Sequence, residues 1–246
     1  MIISIHSFRG GTGKSNTTAN VAAVLAGEGR HVAVVDTDVQ SPGIHVLFGV
    51  DQDRIDGTLN DYLWNKRNIK DAAHDVTPPG LPGRVWLIPA SIRPHDIARV
   101  MHEGYDVGLL NAGFRQLIQE LSLDALILDT HPGLGEETLL SIAMSNSLAI
   151  LLRPDQQDFE GTKVTVSVAR KLRVPKMVLV VNNTPPMFDL DAVRGRVERA
   201  YGCEVAAVLP HSPEMMELSS GGIFALANPD HVLTGLYRQV ARSLIS

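Results

Sequence analysis

Short, nearly continuous runs of aliphatic residues alternate along this chain with longer stretches in which apolar positions recur every three or four residues. A run without polar alternation suits a strand buried on both faces, and the longer period suits a helix lying on it. Strands are predicted at 2–6, 30–35, 85–89, 125–129, 148–152, 177–181 and 205–209. Helices are predicted at 16–26, 58–66, 94–101, 107–121, 136–145, 159–172, 190–201 and about 230–245. Gly27 and Gly29 end the first helix, and the prolines and glycines of 77–83 mark a surface loop. Residues 39–56 lack periodicity, hold Pro42, Gly43 and Gly49, and read as a mobile loop with a helical turn. Strand and helix in alternation predict an α/β fold, a three-layer, doubly wound, mostly parallel sheet with helices on both faces. At 246 residues, one domain spanning 1–246 suffices.

The first strand runs into Arg9-Gly10-Gly11-Thr12-Gly13-Lys14-Ser15, and an alanine- and valine-rich helix comes next. The glycines let several backbone N–H groups face one point, where the new helix adds the positive end of its dipole. That is the build of a phosphate-binding loop, in which Lys14 reaches the β- and γ-phosphates and the Ser15 hydroxyl ligates Mg²⁺. The strict pattern GxxxxGK(S/T) fails at its first glycine, where Phe8 stands. A tight turn that binds nothing is the plainer alternative. Two later strands end in acids, at Asp36-Thr37-Asp38 and at Asp129. Mg²⁺ prefers oxygen ligands and keeps several waters, so Asp36 and Asp129 are placed to hold it beside Ser15. Carboxylates capping the next turn would explain the same acids.

With a second cation ahead of the glycine pair, the chain resembles the MinD/ParA family of deviant Walker A ATPases, P-loop NTPases of the SIMIBI type. The likeness spans nearly the whole chain and is strongest at 8–18, 34–38 and 128–133. The family usually has lysine where this chain has Arg9, and proline is common where His131 stands in Asp129-Thr130-His131-Pro132-Gly133. The resemblance implies ATP and Mg²⁺ as cofactors, with Gly10, Gly11, Thr12, Gly13, Lys14, Ser15 and Asn16 around the nucleotide phosphates. It implies Ser15, Asp36 and Asp129 at the metal, and Asp38 orienting or activating the attacking water. Lys14, Asp38 and Arg9 are then the groups that carry hydrolysis, since phosphoryl transfer needs positioning and charge neutralisation more than covalent chemistry. Arg9 would reach across a homodimer with ATP sandwiched at its interface; alternatively it pairs with a local carboxylate. Asn182 and Pro210 stand where the family contacts adenine, although both residue types also serve strand-end turns. The polar segment 153–162 resembles the family's loop near the dimer interface and reads as exposed.

Composition narrows the partners. A net charge of −5 and a pI near 6.0 advertise no bulk affinity for nucleic acid. Cys203 is the lone cysteine, which excludes an intrachain disulfide and points to the reducing cytosol. No secretory leader and no transmembrane segment is evident. His6, His131 and His211 fall near strand ends without a transition-metal spacing. The membrane branch of the family adds a basic amphipathic C-terminal helix, whereas the last predicted helix here carries an apolar stripe suited to packing on the sheet. Cations gather instead at Lys163, Arg170, Lys171, Arg173 and Lys176, at Arg194, Arg196 and Arg199, and at Arg238 and Arg242. They suit either a solvated surface or a sequence-independent DNA face, the latter implying nucleoid association. The resemblance implies an ATP-dependent dimerising switch that positions or partitions a cargo, together with an unknown stimulating protein. A nucleotide-binding regulator with negligible turnover and a P-loop small-molecule synthetase or kinase are the other classes. Iron–sulfur relatives need a cysteine pair that Cys203 alone does not provide, and Tyr62, Tyr105, Tyr201 and Tyr237 form no C-terminal tyrosine cluster.

Overall fold

The computed structural model describes residues 1–51 and 55–246. Its strands are β1 (Ile2–His6), β2 (His31–Asp36), β3 (His74–Asp75), β4 (Arg84–Ile88), β5 (Ala125–Asp129), β6 (Ser147–Leu152), β7 (Lys176–Thr184) and β8 (Glu204–Pro210). They form one sheet in the order β3-β4-β2-β5-β1-β6-β7-β8, parallel throughout except for the short antiparallel β3 at one edge. The helices are α1 (Lys14–Gly27), α2 (Leu59–Leu63), α3 (Pro94–Glu103), α4 (Val107–Glu120), α5 (Glu136–Met144), α6 (Gln156–Lys171), α7 (Leu190–Tyr201), α8 (Pro213–Leu218), α9 (Phe224–Ala227) and α10 (Val232–Ile245).

Successive strand residues point to opposite faces, so each buried run feeds two cores. Ile3, Ile5, Val34 and Ile127 face α1, α9 and α10. Ala33, Val35, Leu126 and Leu128 face α2 and α4, and Leu148, Ile150, Leu179 and Val181 face α6 and α7. Helix α1 is buried almost all round, which its small Ala, Val and Thr side chains permit between sheet and α10. Helix α10 does pack on the sheet, with Leu233, Tyr237, Val240, Ala241 and Leu244 in that core.

Three local departures from the sequence reading have physical reasons. Helix α6 starts at Gln156, because Asp155 accepts a hydrogen bond from Asp158 N and caps it. Most of the polar segment 153–162 is therefore the first turns of a helix, with Asp158, Gly161 and Thr162 buried. Strand β7 runs on to Thr184 and carries Asn182 within it. Strand β3 and helices α8 and α9 are too short to show a period, and sequence periodicity misses them. Within 39–56 the helical turn is a 3-10 turn at Ile44–Phe48, and residues 52–54 lie outside the described residues.

Register gathers the acids at one place. It pairs Asp36 with Asp129, and Ile5 with Asp129 on the other side. The last residues of β1, β2 and β5 thus share one edge of the sheet, the C-terminal edge where α1 begins.

Candidate nucleotide-binding site

Between β1 and α1 the chain turns tightly, with Gly11 at φ 73° and Gly13 at φ 90°. Gly13 is the N-cap of α1 and no side chain caps that helix end, so its first N–H groups face the loop's concavity. The turn is braced from β7: Asn182 Nδ2 donates to Thr12 O at 2.7 Å, and a Cβ on Gly13 would overlap that amide. Phe8, which breaks the strict motif, lies on Gly161 of α6, where any side chain would collide with its ring.

Beneath the loop lies a buried charge cluster. Asp36 is fully buried, and its carboxyl is held well above the usual range by burial and then by the charges of Asp129 and Asp38, despite hydrogen bonds from Gly43 N and Asp38 N. Burial lifts Asp129 to about 6, while Ser15, Lys14 and Thr18 pull the other way; Thr18 Oγ1 donates to it at 3.1 Å. Lys14 is 7% exposed, and burial drives its ammonium pKa down against the pull of Asp129 and Asp38. Two adjacent buried carboxylates with a serine hydroxyl beside them form an all-oxygen donor set that lacks positive charge, which fits Mg²⁺. The described residues contain no group of three or more His, Cys, Asp or Glu side chains able to hold an ion on their own, so such a cation would complete its shell with water and phosphate oxygens.

On the other side of the loop a cleft of about 140 Å³ opens between β7, β8 and α8. Gly11, Thr12, Gly13, Asn16, Asn182 and Pro210 all line it, so the phosphate loop and the distant Asn182 and Pro210 meet at one place. Met215, Leu233 and Tyr237 line it too and escape sequence reasoning, their only signal being a late apolar pattern that reads as core.

The AAA domain family AAA_31 matches residues 1–176 of this chain. An uncharacterised ATP-binding protein of Methanocaldococcus jannaschii is 27% identical over 99% of this chain and 87% of its own length. The chromosome partitioning protein ParA of Myxococcus xanthus is 33% identical over 65% of this chain and 54% of its own. The septum site-determining protein MinD of Pyrococcus horikoshii, solved with Mg-ADP, superposes with a TM-score of 0.81 at 21% identity, covering 98% of this chain and 93% of that one. The chain is a deviant Walker A ATPase of the MinD/ParA family. Iron–sulfur cluster carrier proteins match as well, that of Escherichia coli at 25% identity over 98% of this chain and 64% of its own.

As an ATPase of this family it takes ATP with Mg²⁺. Around that site the structure disposes the remaining sequence candidates unevenly. Asp38 is 15% exposed beside the buried acids, and its Oδ1 lies 2.7 Å from His131 Nδ1. Arg9 is outside its own cleft: its guanidinium lies 3.4 Å from Asp158 and 3.8 Å from Asp155, and Arg153 binds the same two acids. The three histidines do not form one group, for His211 pairs with Asn183 and His6 with Thr130. Thr130 Oγ1 donates to Ile5 O, so it accepts from His6 Nδ1; the buried imidazole is neutral, its pKa pushed down to about 3 by burial, then by Lys14 and His131. Many of the clustered cations are engaged within the chain. Arg170 donates to Tyr201 O, Arg194 to Val205 O and Arg238 to Pro229 O. Arg196 stacks on Phe159, Lys176 binds Ser246 and Arg242 pairs with Glu28. No helix among the described residues is long and apolar enough to cross a membrane.

Proposed function

We propose that this ATPase is a dimeric switch, closed by ATP and opened by its hydrolysis, that positions a cargo from the cytoplasm. The observation carrying this reading is the placement of Arg9. A cation in the phosphate loop that does not line its own cleft, and instead sits 39% exposed beside the open apolar surface of Phe8, Gly161 and Val164, is disposed toward a second copy. Its pair with Asp155 is half exposed and therefore weak, and buried Asp158 keeps Arg153 as a partner when Arg9 turns to a partner's phosphate.

In this reading Lys14 neutralises charge on the β- and γ-phosphates, and the α1 N-terminus binds their oxygens. Ser15, Asp36 and Asp129 hold Mg²⁺, whose charge offsets that developing on the phosphates. Asp38 orients the attacking water. Asn182 fixes the loop through Thr12 and, with Pro210, borders the base. Cys203, the one thiol, is engaged with Tyr201 O and Arg170 and leaves no cysteine pair for an iron–sulfur cargo. Duplex DNA is the surface matched by the clustered cations that lack such internal contacts among the described residues, chiefly Lys163, Lys171 and Arg173.

Asp38→Ala, which should bind ATP without hydrolysing it, tests the surface. Co-sedimentation with arbitrary duplex DNA under Mg·ATP but not Mg·ADP, weakening as salt rises, supports the DNA-bound switch. Absence of binding in both states would move the cargo platform to a protein.

A further inference from the structure

The loop after β5 carries a side chain to which neither nucleotide binding nor dimerisation gives a role. His131 Nδ1 and Asp38 Oδ1 are 2.7 Å apart, with the imidazole 31% exposed and the carboxylate 15%. A carboxylate only accepts, so Nδ1 carries the proton and donates it. Asp38 Oδ1 also accepts from Ser41 N at 3.0 Å, whereas Oδ2 has no hydrogen bond to a described residue. A single bond to Ser41 would leave the carboxyl plane loosely set, because the terminal torsion of Asp is broad. Two donors on the same oxygen fix it and leave Oδ2 available to accept a further hydrogen bond.

The histidine is itself held firmly. Thr138 Oγ1 donates to His131 O at 3.2 Å, tying it to the first turn of α5. Pro132 comes next and restricts its backbone, and Gly133 N donates to Ser7 O at 3.1 Å, anchoring the turn to the phosphate loop's entry. On the Asp38 side, Asp38 N donates to Asp36 Oδ1 at 3.1 Å. The contact therefore adds a side-chain tie between the loops 37–43 after β2 and 130–135 after β5, whose roots already meet where Thr37 donates to Asp129 O.

We infer that His131 is a positioning residue for ATP hydrolysis: its Nδ1–H orients the Asp38 carboxylate so that Oδ2 faces the attacking water, and it couples the loops after β2 and β5. This rests on Asp38 acting on the water, as the proposed function has it. Misplacing a group by an ångström in such a step costs on the order of 100-fold in rate, and one lost orienting bond should cost about tenfold.

The test is steady-state phosphate release from Mg·ATP by wild type, His131→Leu, His131→Asn, Asp38→Ala and His131→Leu/Asp38→Ala. Leucine keeps bulk without a donor, and asparagine keeps a donor. The expected result is a kcat about tenfold lower for His131→Leu with KM within about twofold, substantial recovery in His131→Asn, and no further loss when His131→Leu is added to Asp38→Ala. Titration with a fluorescent ADP analogue checks that each variant keeps its nucleotide site. If His131→Leu fails that check, His131→Ala replaces it against His131→Asn. Unchanged kcat in His131→Leu while Asp38→Ala is inactive would overturn the inference and leave the role of Asp38 standing. Equal loss in the asparagine variant, or additive loss in the double variant, would also overturn it. Full activity in Asp38→Ala would remove the role of Asp38 and the inference with it.

Discussion

The two ends of the nucleotide cleft are held together on different physical terms. At the phosphate end, neighbouring strands and the start of α1 bring Lys14, Asp36 and Asp129 into a buried cluster in which burial opposes every charge. At the base end, Asn182, Pro210, Met215 and Tyr237 come from segments far apart in the chain and carry no charge at all. The first end is electrostatically unfinished without a cationic and anionic ligand; the second is already a packed wall. Ligand binding should therefore relieve opposed buried charge at the first end and add contacts to a neutral surface at the second.

Lys14→Ala should break the phosphate end most severely, lowering phosphate release by on the order of 100-fold or more, since it removes a preorganised charge from the site of transfer. Retention of the wild-type rate in that assay would contradict the assignment. Asp36→Asn sharpens the contrast in the opposite direction. With no charge left to bury, the ligand-free protein should melt a few degrees higher, while the stabilisation by Mg·ATP should shrink. Differential scanning fluorimetry with and without Mg·ATP reads both effects, and a ligand-free protein that melts lower would count against unfinished electrostatics. At the base end, Asn182→Ala removes one hydrogen bond to Thr12 O and should weaken ATP binding roughly fivefold with little change in kcat. Isothermal titration gives the affinity, and a fall in kcat larger than that in affinity would place Asn182 with the chemistry instead.

The smallest expected effect concerns His6, neutral beneath the loop. Its pKa falls from 6.5 to about 3 on folding, so the unfolded chain takes up a proton that the folded one refuses. This contribution is fully present above pH 6.5 and is lost as pH falls from there toward 3, with a slope of at most about 1.4 kcal/mol per pH unit. Urea unfolding of His6→Asn between pH 7 and 5 should show a shallower decline than wild type, and parallel curves would mean that His6 is not held neutral.

The same contrast explains what can be read from sequence. Asp36 and Asp129 are legible because they end buried strands, and Lys14 and Ser15 because a short glycine motif between β1 and α1 places them at the helix start. The sheet is legible for the same reason, since its strands are apolar runs with no competing period. Asn182 is found by position but credited only with a base contact, because its hold on Thr12 joins residues 170 positions apart. Met215 and Tyr237 are hidden in α8 and α10, one too short to show a period and the other patterned as core. In sequence Arg9 suits either a partner's nucleotide or a local carboxylate, and which carboxylates it meets, Asp155 and Asp158, depends on the capped start of α6, three residues ahead of where periodicity puts it.

The dimeric switch is tested most directly by multi-angle light scattering of Asp38→Ala with saturating Mg·ATP and with Mg·ADP. A dimer with ATP and a monomer with ADP is the expected result. A monomer in both states would contradict it, leaving Arg9 a local ion pair and the protein an ATPase that works alone.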